Sequence, residues 1–549
     1  MAIAERQLAA RFNTSDHTVV DHRTWVIASD GDLMEGVQAE AASLAGHLEL
    51  GRLIVFWDDN RITIDGTTDL AFTEDVAARY ASYGWHVARI DDVDDLNAID
   101  AAIEESLADP RPSLVVTRTH IGIGSPLQDT SKAHGAPLGA DNIAATKRAY
   151  GWPEDAHFLV PDDVRDAYAA ARSTAQMARS TWLAAMDAWR AAEPDLAREY
   201  DRRLLGTLPT GWDTPLASYR PDSGTRIATR KASSVAINLA APLLPELVGG
   251  SADLAESNLT DIADGGSVQA GNFEGRNLHY GIREHAMGAI TNGMLAHGGV
   301  RPFAGTFLVF SDYMRPSIRL SALMQLPAIW VFTHDSVWLG EDGPTHQPVE
   351  HLMSLRLIPG LTVIRPADPV ETAQAWRYAL EQRSTPTVIA LSRQAVPLLA
   401  DCGSDLLPPI VERGAYVVHD VAGSPDVILI GTGSEVHLCL EAAAQLVSHD
   451  IKARVVSMPS FEIFSHQDAS YRHSVLPPDS TLRISVEAGA TSGWERWLGE
   501  EGMAIGIDRF GMSAPGEQVA DELGISVSNI VDNARQMVAR STSRSINRA

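Results

Sequence analysis

Short apolar, β-rich runs alternate with helix-patterned segments along almost the whole chain. That alternation constrains the fold more than any other feature. The runs fall at residues 25–28, 53–56, 114–117, 328–332, 388–391 and 427–430, each followed by a loop and then a helical pattern. Apolar runs of this length predict strands buried on both faces, and the repeated strand–loop–helix order predicts α/β layers with mostly parallel sheets. In such sheets the carboxyl ends of the strands share one edge, where ligands bind. Residues just after each run are therefore the ones to inspect for chemistry.

The chain has 549 residues, too many for one core, and about three domains are expected from length alone. A helical, charged stretch at 162–205 gives way to a Pro- and Gly-broken, linker-like segment at 208–215, and a second break falls at 399–409. Residues 1–12 predict an amphipathic helix with Ile3, Leu8 and Phe12 near one face, and 540–549 read as a polar, frayed tail. The net charge of −27 argues against nucleic acid as a partner. No apolar run is long enough to cross a bilayer, and residues 1–12 carry Glu5 where a signal peptide would be apolar. A soluble, cytoplasmic protein is expected. Cys402 and Cys439 form neither a disulfide framework nor a zinc spacing, and predict two reduced thiols.

The most informative cluster is Ser29-Asp30-Gly31-Asp32-Leu33-Met34-Glu35-Gly36, followed by Asp58-Asp59-Asn60. Each follows a predicted strand, so Asp30 and Asn60 can meet at one sheet edge. A carboxylate, an amide oxygen and a nearby carbonyl are hard donors suited to Mg²⁺ or Ca²⁺ held against a diphosphate. Gly31 would let the backbone approach phosphate oxygens. An Asp-Gly dipeptide alone is as often an ordinary turn.

The whole phrase, extended by Glu40-Ala-Ala-Ser-Leu-Ala-Gly46 and by the segment 53–66, closely resembles transketolases. The resemblance implies two doubly wound, parallel-sheet domains that bind thiamine diphosphate, the first truncated, plus a C-terminal α/β domain. The corresponding spans are 1–195 for the diphosphate domain, 196–402 for the pyrimidine domain and 403–549 for the last. It implies that Asp30, Asn60 and the backbone carbonyl of Ile62 hold the metal, Mg²⁺ or else Ca²⁺ or Mn²⁺. It also implies that Gly31 and Asn60 face the cofactor, and that His134, in the Gly-rich 132–139 segment, reaches both diphosphate and substrate. Ser29 departs from the family, which usually has Gly there; a slight change of loop geometry is expected.

Thiamine chemistry needs a partly buried carboxylic acid against the pyrimidine ring of the cofactor. Glu284, in His279-Tyr-Gly-Ile-Arg-Glu284-His-Ala-Met-Gly, stands near the start of an apolar helical pattern. The bland alternative is a first-turn acid favoured by the helix dipole; the resemblance makes it the activating acid. Phe307, Phe310 and Tyr313 recur every three residues, which suits one face of a helix and is ordinarily a core stripe. The resemblance makes them the pocket around the aminopyrimidine, with Asp253 and Leu254 toward the thiazolium end.

Arg230, Ser257, His334 and Arg393 supply two guanidiniums, a hydroxyl and an imidazole, a set suited to a phosphate monoester. Each alone is weak, but all four match family phosphate-binding positions. The segment Leu339-Gly-Glu-Asp342-Gly-Pro-Thr-His346-Gln-Pro348 matches as well. It implies Asp342 for a substrate hydroxyl and His346 as a proton shuttle beside the catalytic Glu284 and His134. Trp338 stands where the family usually has Gly, and either narrows the substrate channel or packs on the loop. The third domain offers no catalytic cluster and reads as structural and interfacial.

The resemblance implies transfer of a two-carbon ketol unit between sugar phosphates, in a homodimer with the active site at the subunit interface. Alternatives are a relative with another acceptor, such as dihydroxyacetone synthase or deoxyxylulose phosphate synthase, or a catalytically impaired binding subunit. The family has roughly a hundred more residues at the front, including a Gly-His-Pro motif. A misplaced start, a separate chain or a true loss would each account for that difference.

Overall fold

The structure is a computed structural model that describes residues 1–402 and 411–548; the expected domain boundary at 402/403 and the side chain of Cys402 lie outside the described residues. The chain divides into two compact units, one of Met1–Leu205 with Val268–Glu274, the other of Gly206–Ser267 with Gly275–Ala549.

The first unit holds four parallel strands, β1 (Thr24–Ser29), β2 (Leu53–Asp59), β3 (His86–Ile90) and β4 (Ser113–Arg118), in the order β1-β2-β4-β3. Ile54 and Val115 are fully buried with Ala88 and Ile90. The helix Ala2–Phe12 buries Leu8 and Phe12 against the helices Asp162–Ala192 and Pro194–Leu204, where Phe12 meets Trp189 and Tyr200 edge to face. Ile3 is buried on that helix too, so the expected face is present. The expectation for 25–28 is corrected in part. They form a strand at the sheet edge, but Trp25, Val26 and Ile27 are exposed, because no described element covers their side chains.

Among the described residues the second unit carries eight strands before residue 400 and five after. β5 (Arg226–Ala228) pairs antiparallel with β12 (Ala395–Pro397). The strands β6 (Leu247–Ser251), β7 (Asn277–His279), β8 (Arg301–Phe307), β9 (Ile329–Thr333), β10 (Thr362–Ile364) and β11 (Thr387–Leu391) form an all-parallel sheet in the order β10-β11-β9-β8-β6-β7. The winding reverses between β6 and β8, which is where doubly wound sheets open a ligand crevice. The Pro- and Gly-rich 208–215 segment is no loose linker: it leads into the short helix Thr214–Ala217, and Trp212 and Leu216 are buried in the core of this unit.

The last sheet comprises β13 (Tyr416–His419), β14 (Val427–Gly431), β15 (Ala453–Ser457), β16 (Arg483–Val486) and β17 (Met503–Ile505), in the order β13-β15-β14-β16-β17 with only β13 antiparallel. Val427 and Leu429 feed one apolar cluster while Ile428 and Ile430 feed the other. Burial on both faces is why this strand reads as a continuous apolar run. The tail is not frayed: the helix Val527–Arg548 runs through it. No helix among the described residues is long and apolar enough to cross a membrane.

Candidate active site

In the first unit the predicted metal residues lie at the carboxyl ends of adjoining parallel strands. Ser29 is in register with Asp58, and Asp58 with Thr117. Asp30 opens the short helix Asp30–Met34 and is buried. Its Oδ2 accepts from the Arg61 N–H at 2.7 Å and its Oδ1 from Trp57 Nε1 at 3.1 Å, which ties the two loops together. Asn60 is also buried, and its Oδ1 accepts from the Ile62 N–H at 3.0 Å. The Thr119 hydroxyl donates to Asp58. The departure at Ser29 has a local use, because its N–H and hydroxyl both donate to Asp32 Oδ2.

This donor set fits a divalent cation. Burial pushes the Asp30 carboxyl up, and Asp59 and Asp58 push it further; no arginine or lysine pairs with it among the described residues. A buried carboxylate with carboxylate neighbours lacks the countercharge that burial ordinarily demands. Gly31 has open space, since an added Cβ would meet nothing closer than Ser29 Oγ at 3.8 Å. A cavity of about 310 Å³ opens beside Asp30 and Asp59. His134 is half-buried and follows a single helical turn, Ser131–Ala133.

In the second unit the predicted residues follow successive strands on one sheet edge. Asp253, Leu254 and Ser257 follow β6, Glu284 follows β7, Phe307 closes β8, His334 follows β9 and Arg393 follows β11. The one-helix expectation for the aromatic trio is corrected. Phe307 ends a strand, Phe310 ends the turn Leu308–Phe310 and Tyr313 lies in the helix Ser311–Leu323. They still gather, because the chain reverses direction there. Phe307 and Phe310 stack at 5.7 Å, and Phe310 lies 6.0 Å from Tyr313, which is largely exposed.

The two histidines join these rings. His334 lies 3.7 Å from Phe307, and His346 lies 5.6 Å from Phe310, centroid to centroid. The sequence placed them in separate groups; the fold makes them one wall. His334 is buried, and its Nδ1 meets the Thr333 hydroxyl at 2.8 Å. Burial, then Arg230, Arg393 and His346, lowers its pKa to about 3, so the ring is neutral at pH 7 and offers a hydrogen bond, not a charge.

Arg230 donates to the backbone carbonyl of Ser257, which engages that residue by its main chain. Its Nε is buried with no partner, and burial and then Arg393 lower its pKa. Neither guanidinium has a carboxylate partner among the described residues. Two adjacent cations with an orphaned N–H fit an anion. Glu284 is buried at the first turn of the helix Glu284–His297. That helix is clamped to Ser311–Leu323: Ser317 Oγ donates to the His285 carbonyl, and a Cβ at Gly288 would lie 2.7 Å from Ser317 Cβ. Asp253 and Asp342 are exposed, and Asp253 and His334 hold left-handed backbone at φ 58° and 56°.

Sequence reasoning missed a buried ion network beside this wall. Asp335, next to His334, pairs with Arg365 at 2.8 Å, and Arg365 pairs with Glu435. All three are buried, and their alternation with apolar strand ends was the only sequence signal. Cys439 is buried, and burial pushes its thiol well up, as expected of an inert thiol.

Residues 1–209 match the family described as transketolase, thiamine diphosphate binding domain. Residues 225–397 match the transketolase pyrimidine binding domain, and 414–526 the transketolase-like C-terminal domain. The transketolase of Halalkalibacterium halodurans is 48% identical over 539 residues, covering 98% of this chain and 80% of that protein. The transketolase of Nostoc sp. is 50% identical over 545 residues, with coverage of 98% and 80%. The structure of Pichia stipitis transketolase in complex with sedoheptulose-7-phosphate superposes with a TM-score of 0.94 at 42% identity, covering 99% of this chain and 80% of that one. Leishmania mexicana transketolase gives 0.93 at 42%, covering 98% and 79%. The chain belongs to the transketolase family of thiamine-diphosphate-dependent transferases.

Proposed function

We propose that this chain reversibly transfers a two-carbon ketol unit from a ketose phosphate such as xylulose 5-phosphate to an aldose phosphate such as ribose 5-phosphate, in the pentose phosphate pathway and the Calvin cycle. The observation that carries this reading is the pairing of Arg230 with Arg393 beside a neutral His334, at the edge where the Phe307–Phe310 stack ends. A phosphate monoester supplies the charge those guanidiniums lack.

Asp30, Asn60 and the Ile62 carbonyl would hold the divalent metal, with Gly31 and His134 toward the diphosphate. Thiamine diphosphate, when bound, supplies the carbon nucleophile and the electron sink for cleavage next to a ketone. Glu284 holds a proton against the pyrimidine ring nitrogen; its burial suits a shared proton. Phe307, Phe310 and Tyr313 seat the pyrimidine, and Asp253 and Leu254 border the thiazolium end. Asp342 accepts from a sugar hydroxyl, His346 moves a proton at the donor hydroxyl, and Arg230, Ser257, His334 and Arg393 orient the phosphate. The working form is a cytoplasmic homodimer that shares its active sites between subunits, with domains at 1–195, 196–402 and 403–549.

A coupled spectrophotometric assay with xylulose 5-phosphate, ribose 5-phosphate, thiamine diphosphate and Mg²⁺ tests the proposal. Formation of a triose phosphate supports it. No product at any enzyme concentration overturns it for this chain.

A further inference from the structure

The loop 339–347, which carries Asp342 and His346, is fastened to the C-terminal domain of the same compact unit. Just ahead of it, Trp338 Nε1 donates to Glu435 Oε1 at 3.1 Å, and the indole packs on the C-terminal core with Met512 and Ala514. Ser513 Oγ donates to the Glu341 carbonyl at 2.6 Å. Gln347 Nε2 donates to the carbonyls of Gly340 and Met512, each at 2.9 Å. The backbones approach so closely that both sides need glycine. A Cβ on Gly516 would lie 2.3 Å from the Trp338 carbonyl oxygen, and one on Gly340 would lie 2.9 Å from the Gly516 nitrogen.

Glu435 also governs the other arm of the site. Its Oε2 accepts from Arg365, whose Nε donates to Asp335 Oδ2 at 2.8 Å, directly after His334. Gly433, at φ 57°, leaves the room this needs, since a Cβ there would sit 2.7 Å from the guanidinium carbon. One buried carboxylate in the turn that follows β14 therefore anchors both the 339–347 loop and the strand end bearing His334. In an open parallel sheet this edge ordinarily receives a ligand. Here the protein's own arginines fill it, Arg365 on Glu435 and Arg356 on Glu487.

We propose that the C-terminal domain positions the sugar-contacting loop of its own chain, and that Trp338, Ser513 and Glu435 are positioning residues for ketol transfer. The inference rests on the assignment of Asp342 and His346 to the sugar. A shift of about 1 Å in such groups is enough to weaken their hold on the sugar, so the domain acts on the reaction without touching the substrate. Trp338 packs onto the domain.

Trp338→Phe, which keeps a ring but removes the indole N–H, and Ser513→Ala test this in the full chain. The expected result is a KM for the ketose phosphate raised about three- to tenfold, with the half-saturating thiamine diphosphate concentration unchanged. Amide exchange of 339–347 should quicken while Tm stays within about 2 °C. Unchanged KM and unchanged loop exchange in both variants would overturn the proposal. So would an equal weakening of cofactor binding, which marks general loosening. If the unsubstituted chain forms no product, the activity reading fails by itself, and the exchange measurement still decides the clasp.

Discussion

The rings of His334 and Phe307 lie 3.7 Å apart with their planes inclined by 31°, joining the carboxyl ends of β9 and β8 into one wall. That packing, with two guanidiniums nearby, holds the imidazole neutral down to about pH 3. The unfolded chain protonates this group near pH 6.5. Between those values the unfolded state binds more protons, so stability is full above about pH 6.5 and falls as the pH is lowered. Between pH 7.5 and 5.5 the loss from His334 is about 1.4 kcal/mol. Urea unfolding of His334→Asn should show a pH dependence smaller by that amount. His437, held near 4 by burial, leaves a residual dependence in both proteins.

Asp30→Asn should uncouple metal binding from folding. The amide keeps an acceptor for the Arg61 N–H or Trp57 Nε1 but removes a buried charge that has no cationic partner among the described residues. Calorimetric titration with Mg²⁺ and thiamine diphosphate should show affinity lowered about a hundredfold. Urea unfolding in EDTA should show stability equal to or above that of the parent chain.

Glu284→Gln should lower turnover by about two to four orders of magnitude. The substitution is nearly isosteric within a buried first turn. Circular dichroism and cofactor titration should therefore remain close to the parent, and substantial activity would remove Glu284 from its assigned role.

Arg393→Gln should raise the KM for a ketose phosphate by about tenfold or more while leaving that for an unphosphorylated ketose nearly unchanged. The residue is exposed and its guanidinium has no carboxylate partner among the described residues, so Tm should hold. Equal effects on both substrates would place the phosphate elsewhere.

Much of this was legible because strand ends carry the chemistry. The apolar runs at 53–56 and 427–430 announced β2 and β14, and the polar residues after them fell on one edge. The aromatic trio shows the limit. A spacing of three looks helical, but Phe307, Phe310 and Tyr313 sit on a strand, a turn and a helix in succession. Periodicity describes a face only where one element continues. The Asp335–Arg365–Glu435 network was illegible for a different reason. Each partner comes from a distant segment, and only packing reveals that all three are dry. Residues 25–28 were apolar enough to predict a buried strand, but burial depends on what covers a strand, and its own composition does not say.

That uncovered strand has a colloidal consequence. Among the described residues β1 pairs only with β2, so its outer side offers a row of amide donors and carbonyl acceptors. Trp25 and Ile27, 48% and 85% exposed, stand beside that row with Val26. Long-range repulsion from a net charge of −27 keeps copies apart in dilute buffer, but salt screens it within about 10 Å. Once copies are that close, an apolar rim with open hydrogen-bonding positions is a template for sheet extension. Self-association at high concentration and ionic strength is thus favoured along this short strand, a matter of surface chemistry quite separate from catalysis.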